Sequence, residues 1–303
     1  MKRKVLLGAL ALTAGGIALG IASGSSASFA FADDAVDRAI KYYPDFATEA
    51  DADEYSREIN DQIMEESVIL LKNQDNALPI SRSEGVSILG NGSYHFTAAG
   101  TGSGAGGGIR VNLQTALRNN GISVNKMAED FYAGVNNKVT LPIGMFGGNT
   151  TLDAQEDPAI LEKIEGSYRN YRTVFWTLTR TGGEGADLPT FGLPKSYVAD
   201  PTKHYLQLND NEVKMLDYLT GLKKAGRIGK VVVLINSANI IEMGPLQDSE
   251  AIDSILWVGQ PGPDGLQGVA NVLTGKACPS GRTVDVWTRD HRLDPVWQNF
   301  GTN

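Results

Sequence analysis

The sequence predicts an α/β fold, a mostly parallel sheet flanked by helices on both faces. Two observations carry this reading. The run Val231-Val-Val-Leu-Ile235 contains nothing polar, the mark of a strand buried on both faces. Apolar runs of this kind alternate with helical periods along the chain, the order that winds a parallel sheet.

Taken in order, residues 35–66 are rich in charge and read as two short helices, the second over 53–66. Ser67-Val-Ile-Leu-Leu-Lys72 follows as a strand and ends in the turn cluster Asn73-Gln-Asp-Asn76. Val86-Ser-Ile-Leu-Gly90 is a second short strand, leading toward a glycine-rich loop over residues 100–108. Beyond it Ile109, Leu113, Ala116 and Leu117 recur at helical spacing, and Asn119-Asn120-Gly121 supplies a stop. Residues 127–167 carry no clear period, and 144–148 read as a loop. Thr173-Val-Phe-Trp-Thr-Leu178 is a clear strand. Asn209 with Glu212 forms a capping box for a helix whose apolar face reads Val213, Leu216, Leu219 and Leu222. Ser254-Ile-Leu-Trp-Val258 is a further strand, and Leu266, Val269, Ala270 and Leu273 line a helix stopped by Gly275.

Met1-Lys-Arg-Lys4, an uncharged run over residues 5–22 and small residues up to Ala30-Phe-Ala32 have the three parts of a secretory signal. The expected cleavage falls before Asp33. The apolar run, 18 residues long, is also long enough to be retained as an anchor, so the expected location is secreted or at the cell surface. Residues 1–32 hold three of the 27 basic residues and none of the 35 acidic ones, which leaves 24 against 35, a net charge of −11. Nucleic acid and anionic lipid are poor partners for such a chain.

Cys278 is the single cysteine, so no internal disulfide and no cysteine-based zinc site can form. His95, His204 and His291 are scattered, with no pair at helical metal spacing, and read as ordinary surface or core residues. No metal and no cofactor are expected.

The strand at 173 empties into Arg180-Thr-Gly-Gly-Glu-Gly-Ala-Asp187. Ligands of open α/β sheets sit at the carboxyl ends of strands, and the glycines around Glu184 remove side chains that would block a substrate. Glu184 is therefore a candidate catalytic carboxylate. Its bland alternative is a surface Glu in a solvated turn. Asp187 is either a partner carboxylate or a turn cap. Gly102-Ser-Gly-Ala-Gly-Gly107 matches the spacing of a dinucleotide fingerprint, but it does not follow its strand directly and no second strand ends in Glu129 or Asp130. It reads better as a flexible loop on the substrate side or between domains.

Four segments in order resemble the six-stranded α/β sandwich domain of family 3 glycoside hydrolases. They are Ser67-Val-Ile-Leu-Leu-Lys-Asn-Gln-Asp-Asn-Ala-Leu-Pro-Ile80, Gly100-Thr-Gly-Ser-Gly104, Arg180 to Asp187, and Pro261-Gly-Pro-Asp-Gly265 with Pro279-Ser-Gly-Arg282. The resemblance implies a retaining, β-glucosidase-like hydrolase of β-linked oligosaccharides or glucosides. In that family the sandwich supplies a general acid/base Glu, here Glu184, and a separate (β/α)8 barrel supplies an Asp nucleophile. It also implies substrate or interface contacts from Arg180, Asp187, Gly100, Gly102, Ser103 and Gly104. Leu188 departs from the family, where a basic residue often follows the Asp. No barrel is present in this chain, so the isolated chain is expected to be inactive. The expected layout is a signal over 1–32, a helical lead-in over 33–66, the sandwich over 67–290 and a truncated tail or linker over 291–303. Two other functions compete, a non-catalytic carbohydrate-binding or scaffold domain and a nucleotide-binding protein.

Overall fold

The computed structural model describes residues 45–297, so the expected signal, its cleavage site and the final residues lie outside the described residues. The chain forms helix α1 (Glu49–Ser67), then strands β1 (Ile69–Asn73) and β2 (Gly85–Leu89). Helix α2 (Leu113–Asn119), strand β3 (Ser123–Val124) and helix α3 (Lys126–Tyr132) follow. A hairpin of β4 (Lys138–Leu141) and β5 (Thr150–Asp153) precedes a 3₁₀ stretch, Pro158–Asn170. Then come β6 (Thr173–Arg180), α4 (Asp210–Lys224), β7 (Lys230–Ser237), α5 (Gly244–Asp248), β8 (Ser254–Trp257) and α6 (Leu266–Leu273).

Six strands lie in the order β1-β8-β7-β6-β2-β3, all parallel except the edge pair β1–β8. Strands β6 and β7 sit in the middle, and their side chains alternate between two apolar layers. Val174, Trp176, Leu178, Val231, Val233 and Ile235 face one layer with Leu219 and Leu222 of α4. Phe175, Val232 and Leu234 face the other with Leu113 and Leu117 of α2 and Leu266 and Val269 of α6. Successive residues of a strand point to opposite faces, so a run without polar residues supplies both layers at once. The expected α/β sandwich with helices on both faces is what forms.

Capping chemistry behaves as the sequence predicts. The Asn209 side chain accepts from the Glu212 N–H at 3.0 Å, and Glu212 accepts from the Asn209 N–H at 2.8 Å, closing both halves of the box. Gly121 and Gly275 take positive φ of 81° and 74° just past their helices, as left-handed caps require.

The second lead-in helix forms as expected and starts earlier, at Glu49, packing on α6 so closely that a Cβ at Gly268 would strike the Asp61 carbonyl, while most of the span of the expected first helix lies outside the described residues. Two points differ from expectation. The buried face of α4 runs through Glu212, Met215, Leu219 and Leu222, while Val213 is 38% exposed, because the capping carboxylate itself points inward. The segment without a clear period folds as α3, the β4–β5 hairpin and the 3₁₀ stretch. Its hairpin buries Val139, Leu141 and Ile143 against Leu193, Tyr197 and Tyr205, a third cluster beside the main sheet.

Candidate functional site at the end of the sixth strand

Three loops meet where β6 ends. Residues 181–185 leave the strand, residues 100–104 come from the glycine loop, and residues 143–148 form the tip of the β4–β5 hairpin. Thr101 bridges Gly183 in parallel fashion and donates its N–H to the Gly182 carbonyl at 3.1 Å. The Phe146 N–H donates to the Glu184 carbonyl at 3.0 Å.

Glycine is required at the contacts themselves. A Cβ at Gly183 would lie 2.7 Å from Thr101 Oγ1 and 2.8 Å from the Ile143 carbonyl oxygen. Gly185 has a φ of 69°, and its Cβ would lie 2.7 Å from the Phe146 ring. This close packing of backbone fixes Glu184 although no helix or strand contains it.

The Glu184 side chain is exposed, and its Oε2 accepts the Ser103 N–H at 2.8 Å. The Ser103 hydroxyl and N–H together hold its carboxyl below the usual carboxylate range. Ser103 stands at the centre of a 3₁₀ turn, Gly102–Gly104, so the glycine loop is a cradle for the carboxylate. Gly102 and Ser103 thus lie against Glu184, while Gly100 packs toward the Gly182 carbonyl, 3.6 Å from where its Cβ would be. Asp187 is exposed on the same loop, and no hydrogen bond or ion pair of the described residues joins it to Glu184.

Arg180 differs from its expected place. It is 1% exposed, and its five N–H donors are engaged: Nε to the Tyr205 carbonyl, Nη1 to the Thr179 carbonyl and Glu212, Nη2 to the Gln207 carbonyl and Glu212. A guanidinium so occupied has no donor left for a ligand. Its role is to hold the chain before α4 and the first turn of α4 against the end of β6.

Sequence reasoning passed over Met145 and Phe146. Phe146 is 73% exposed, with φ 54°, and stands over Gly185 beside Glu184. The signal available was an apolar pair, Met145-Phe146, bracketed by Gly144, Gly147 and Gly148, since an aromatic exposed on a glycine-bounded tip has no core to fill. A cavity of about 360 Å³ also lies at this end of β6, lined by Thr179 and Thr181 with His95, Asp153, Phe96 and Tyr205. The histidines are less scattered than the sequence suggests. The fold brings His204 and His291 together around Glu242, because each stands on a different segment at the same end of the sheet.

This chain is similar over most of its length to known proteins. β-Glucosidase A of Butyrivibrio fibrisolvens is 27% identical over 255 residues, 78% of this chain and 29% of that protein. The β-glucosidase of Ruminococcus albus is 27% identical over 254 residues, 82% of this chain and 25% of that one. Among solved structures, β-glucosidase 3B of Thermotoga neapolitana shares the fold with a TM-score of 0.64 at 22% identity, covering 86% of this chain and 34% of its own. A β-glucosidase of Paenibacillus barengoltzii gives a TM-score of 0.63 at 25% identity, covering 81% and 26%. The chain thus spans between a quarter and a third of the length of these relatives. Residues 68–301 match the Glycosyl hydrolase family 3 C-terminal domain, and the chain belongs to that family.

Proposed function

We propose that this chain is the acid/base half of a retaining β-glucosidase-like enzyme, with Glu184 as the proton-transferring group. The observation that carries the reading is the cradle: an exposed carboxylate at the end of a central strand, held by the Ser103 N–H in a setting of glycine backbone. The other half would be a (β/α)8 barrel bearing an Asp nucleophile, and the substrate a β-linked glucoside or oligosaccharide. As the barrel Asp attacks the anomeric carbon, protonated Glu184 gives its proton to the departing glycosidic oxygen. Glu184, then a carboxylate, takes a proton from the water that attacks the glycosyl-enzyme and releases the sugar.

A general acid must carry its proton, whereas Ser103 favours the charged form in the open chain. Docking of a barrel resolves the tension. Covering an exposed carboxyl with low-dielectric surface and placing a second carboxylate about 5–5.5 Å away both raise its pKa. In this reading the chain alone is inactive because its carboxylate is both unpaired and too acidic. The basic, apolar and small-residue parts of residues 1–32 support export, which N-terminal sequencing of secreted material would test.

The deciding experiment uses Glu184→Gln in the barrel-linked enzyme. Alkyl glucosides, with poor leaving groups, should lose about 10²–10⁴-fold in rate. Activated aryl glucosides should form the glycosyl-enzyme almost normally and stall at its hydrolysis, and azide should speed release because it needs no base. Equal, small losses on both substrates with no azide response would remove Glu184 from the mechanism.

A further inference from the structure

His204, Glu242 and His291 converge away from Glu184. His204 lies on the segment between β6 and α4, Glu242 on the stretch after β7, and His291 on the segment after α6. All three are buried, at 1%, 9% and 7% exposure. His204 Nε2 is 3.3 Å from Glu242 Oε2, and His291 Nδ1 is 3.8 Å from the same oxygen. One ligand atom from each residue lies within 4.8 Å of the other two.

We propose that these three residues form a binding site for a zinc-like divalent cation. Zinc bonds of about 2.0–2.2 Å in tetrahedral geometry put ligand atoms roughly 3.3–3.5 Å apart; His204 matches this at 3.3 Å from Glu242, and His291 at 3.8 Å would be drawn inward on binding. Two imidazoles and one carboxylate without a thiol suit zinc or cobalt(II) better than the oxygen-seeking calcium or magnesium. The buried His291 Nδ1 has no hydrogen-bond partner, although buried polar atoms nearly always find one. A cation between it and Glu242 would satisfy it.

The surroundings resemble an outer shell. Gln207 Nε2 donates to Glu242 Oε1 at 3.0 Å and turns the other oxygen toward the histidines. That oxygen also accepts the His291 backbone N–H at 3.2 Å, which ties the ligand to its own segment. The Trp297 ring stacks 4.4 Å from His204 and 5.4 Å from His291 and screens the pair from water. A cavity of about 440 Å³ reaches His291 and is lined by Asp294 and Asp285, giving an entry path and a position for a fourth ligand or water.

The cation would fasten the segment after α6 to the body. That segment exposes Val284 at 97%, Val286 at 86% and Leu293 at 80%, so its apolar anchorage rests on Trp287 against the core beside Trp257 and on Trp297 against the histidines. A chain with one cysteine has no disulfide to do this work.

The test uses the untagged full-length chain, stripped with a chelator and dialysed against zinc. About one zinc per chain should remain bound, zinc should raise Tm in a concentration-dependent way, and proteolysis within residues 283–297 should slow. Cobalt(II) should give visible d–d bands. His291→Ala should abolish the zinc response. Gln207→Met, which keeps all three ligands, should weaken zinc binding by about 10–100-fold and so serves where His291→Ala does not fold. Uptake below about a tenth of a zinc per chain, no cobalt bands, or unchanged zinc binding in Gln207→Met and His291→Ala would each overturn the site.

Discussion

A Cβ on Gly102 would lie 2.7 Å from the Cβ of Glu184 and 2.8 Å from its Oε2, so this glycine and this carboxylate fill one another's contact shell. No side chain can be added at Gly102 without moving Glu184.

Gly102→Ala is therefore expected to displace Glu184. The residue also has a φ of 86°, which costs an L-side chain about 1–2 kcal/mol. A shift near 1 Å at a proton-transferring group can cost about 10²-fold, so the barrel-linked enzyme should fall by that order. Gly108→Ala is the control, since no atom lies within 4 Å of its added Cβ. Steady-state kinetics on the two variants decide it, and equal activities would show that the cradle does not matter.

Arg180→Met should destabilise the chain by about 3–5 kcal/mol, the usual consequence of removing one partner of a buried pair and stranding the other, here Glu212. Lysine should rescue little, because an ammonium cannot reproduce the fork that reaches Glu212 twice and three carbonyls besides. Urea unfolding of the variants measures this. A loss under about 1 kcal/mol would mean that Arg180 is not the structural clamp its contacts describe.

Much of this was legible in the chain. The alternation of Val174, Trp176 and Leu178 with Phe175 and the unbroken 231–235 run imply two covered faces, and Asn209 with Glu212 announces a helix start. Arg180 carried a signal that went unread, because the resemblance assigned it a substrate or interface contact instead. It continues the 174, 176, 178 series and so points at the face that α4 covers, where Glu212 waits. The β4–β5 hairpin was not legible, because its four-residue strands are rich in threonine and their burial depends on Tyr197 and Tyr205 from a distant loop. The histidine cluster left no local trace either, since His204, Glu242 and His291 come from three segments and no spacing rule links them.

A pH dependence of stability is expected from Glu84. Its carboxylate accepts from the Ser81 N–H at 3.1 Å, Lys230 Nζ at 3.0 Å and Thr173 Oγ1 at 2.9 Å. Partial burial pushes this carboxyl up, but the three donors outweigh it and leave it below the ordinary range. A carboxyl lowered by folding contributes stability that is present above the usual glutamate pKa and lost as pH falls through the folded value. Glu84→Gln should cost about 1–2 kcal/mol at neutral pH. The difference from the parent chain should shrink below about pH 4. Denaturation curves at both pH values check the sign, and a penalty that grows on acidification would refute it.

Phe146 provides the last expectation. It is 73% exposed, its backbone sits in the left-handed region, and its N–H holds the Glu184 carbonyl, so the fold spends conformational strain to present this ring beside the carboxylate. On the proposed function, an aromatic face beside Glu184 suits stacking on a sugar ring or burial against a docked barrel. Both roles are absent in the isolated chain. Phe146→Ala should therefore leave the stability of the isolated chain within about ±0.5 kcal/mol, as at other exposed sites. In the barrel-linked enzyme it should lower kcat/KM by roughly tenfold, equal to about 1.4 kcal/mol of lost contact. If the ring meets the leaving-group sugar, the loss should follow the identity of that group and vanish for small alcohols. If it meets the barrel, the loss should be uniform across substrates and should accompany weaker association of the two parts. An alanine variant that is unchanged in both assays would make the ring a bystander and leave Glu184 supported by Ser103 and the glycine cradle alone.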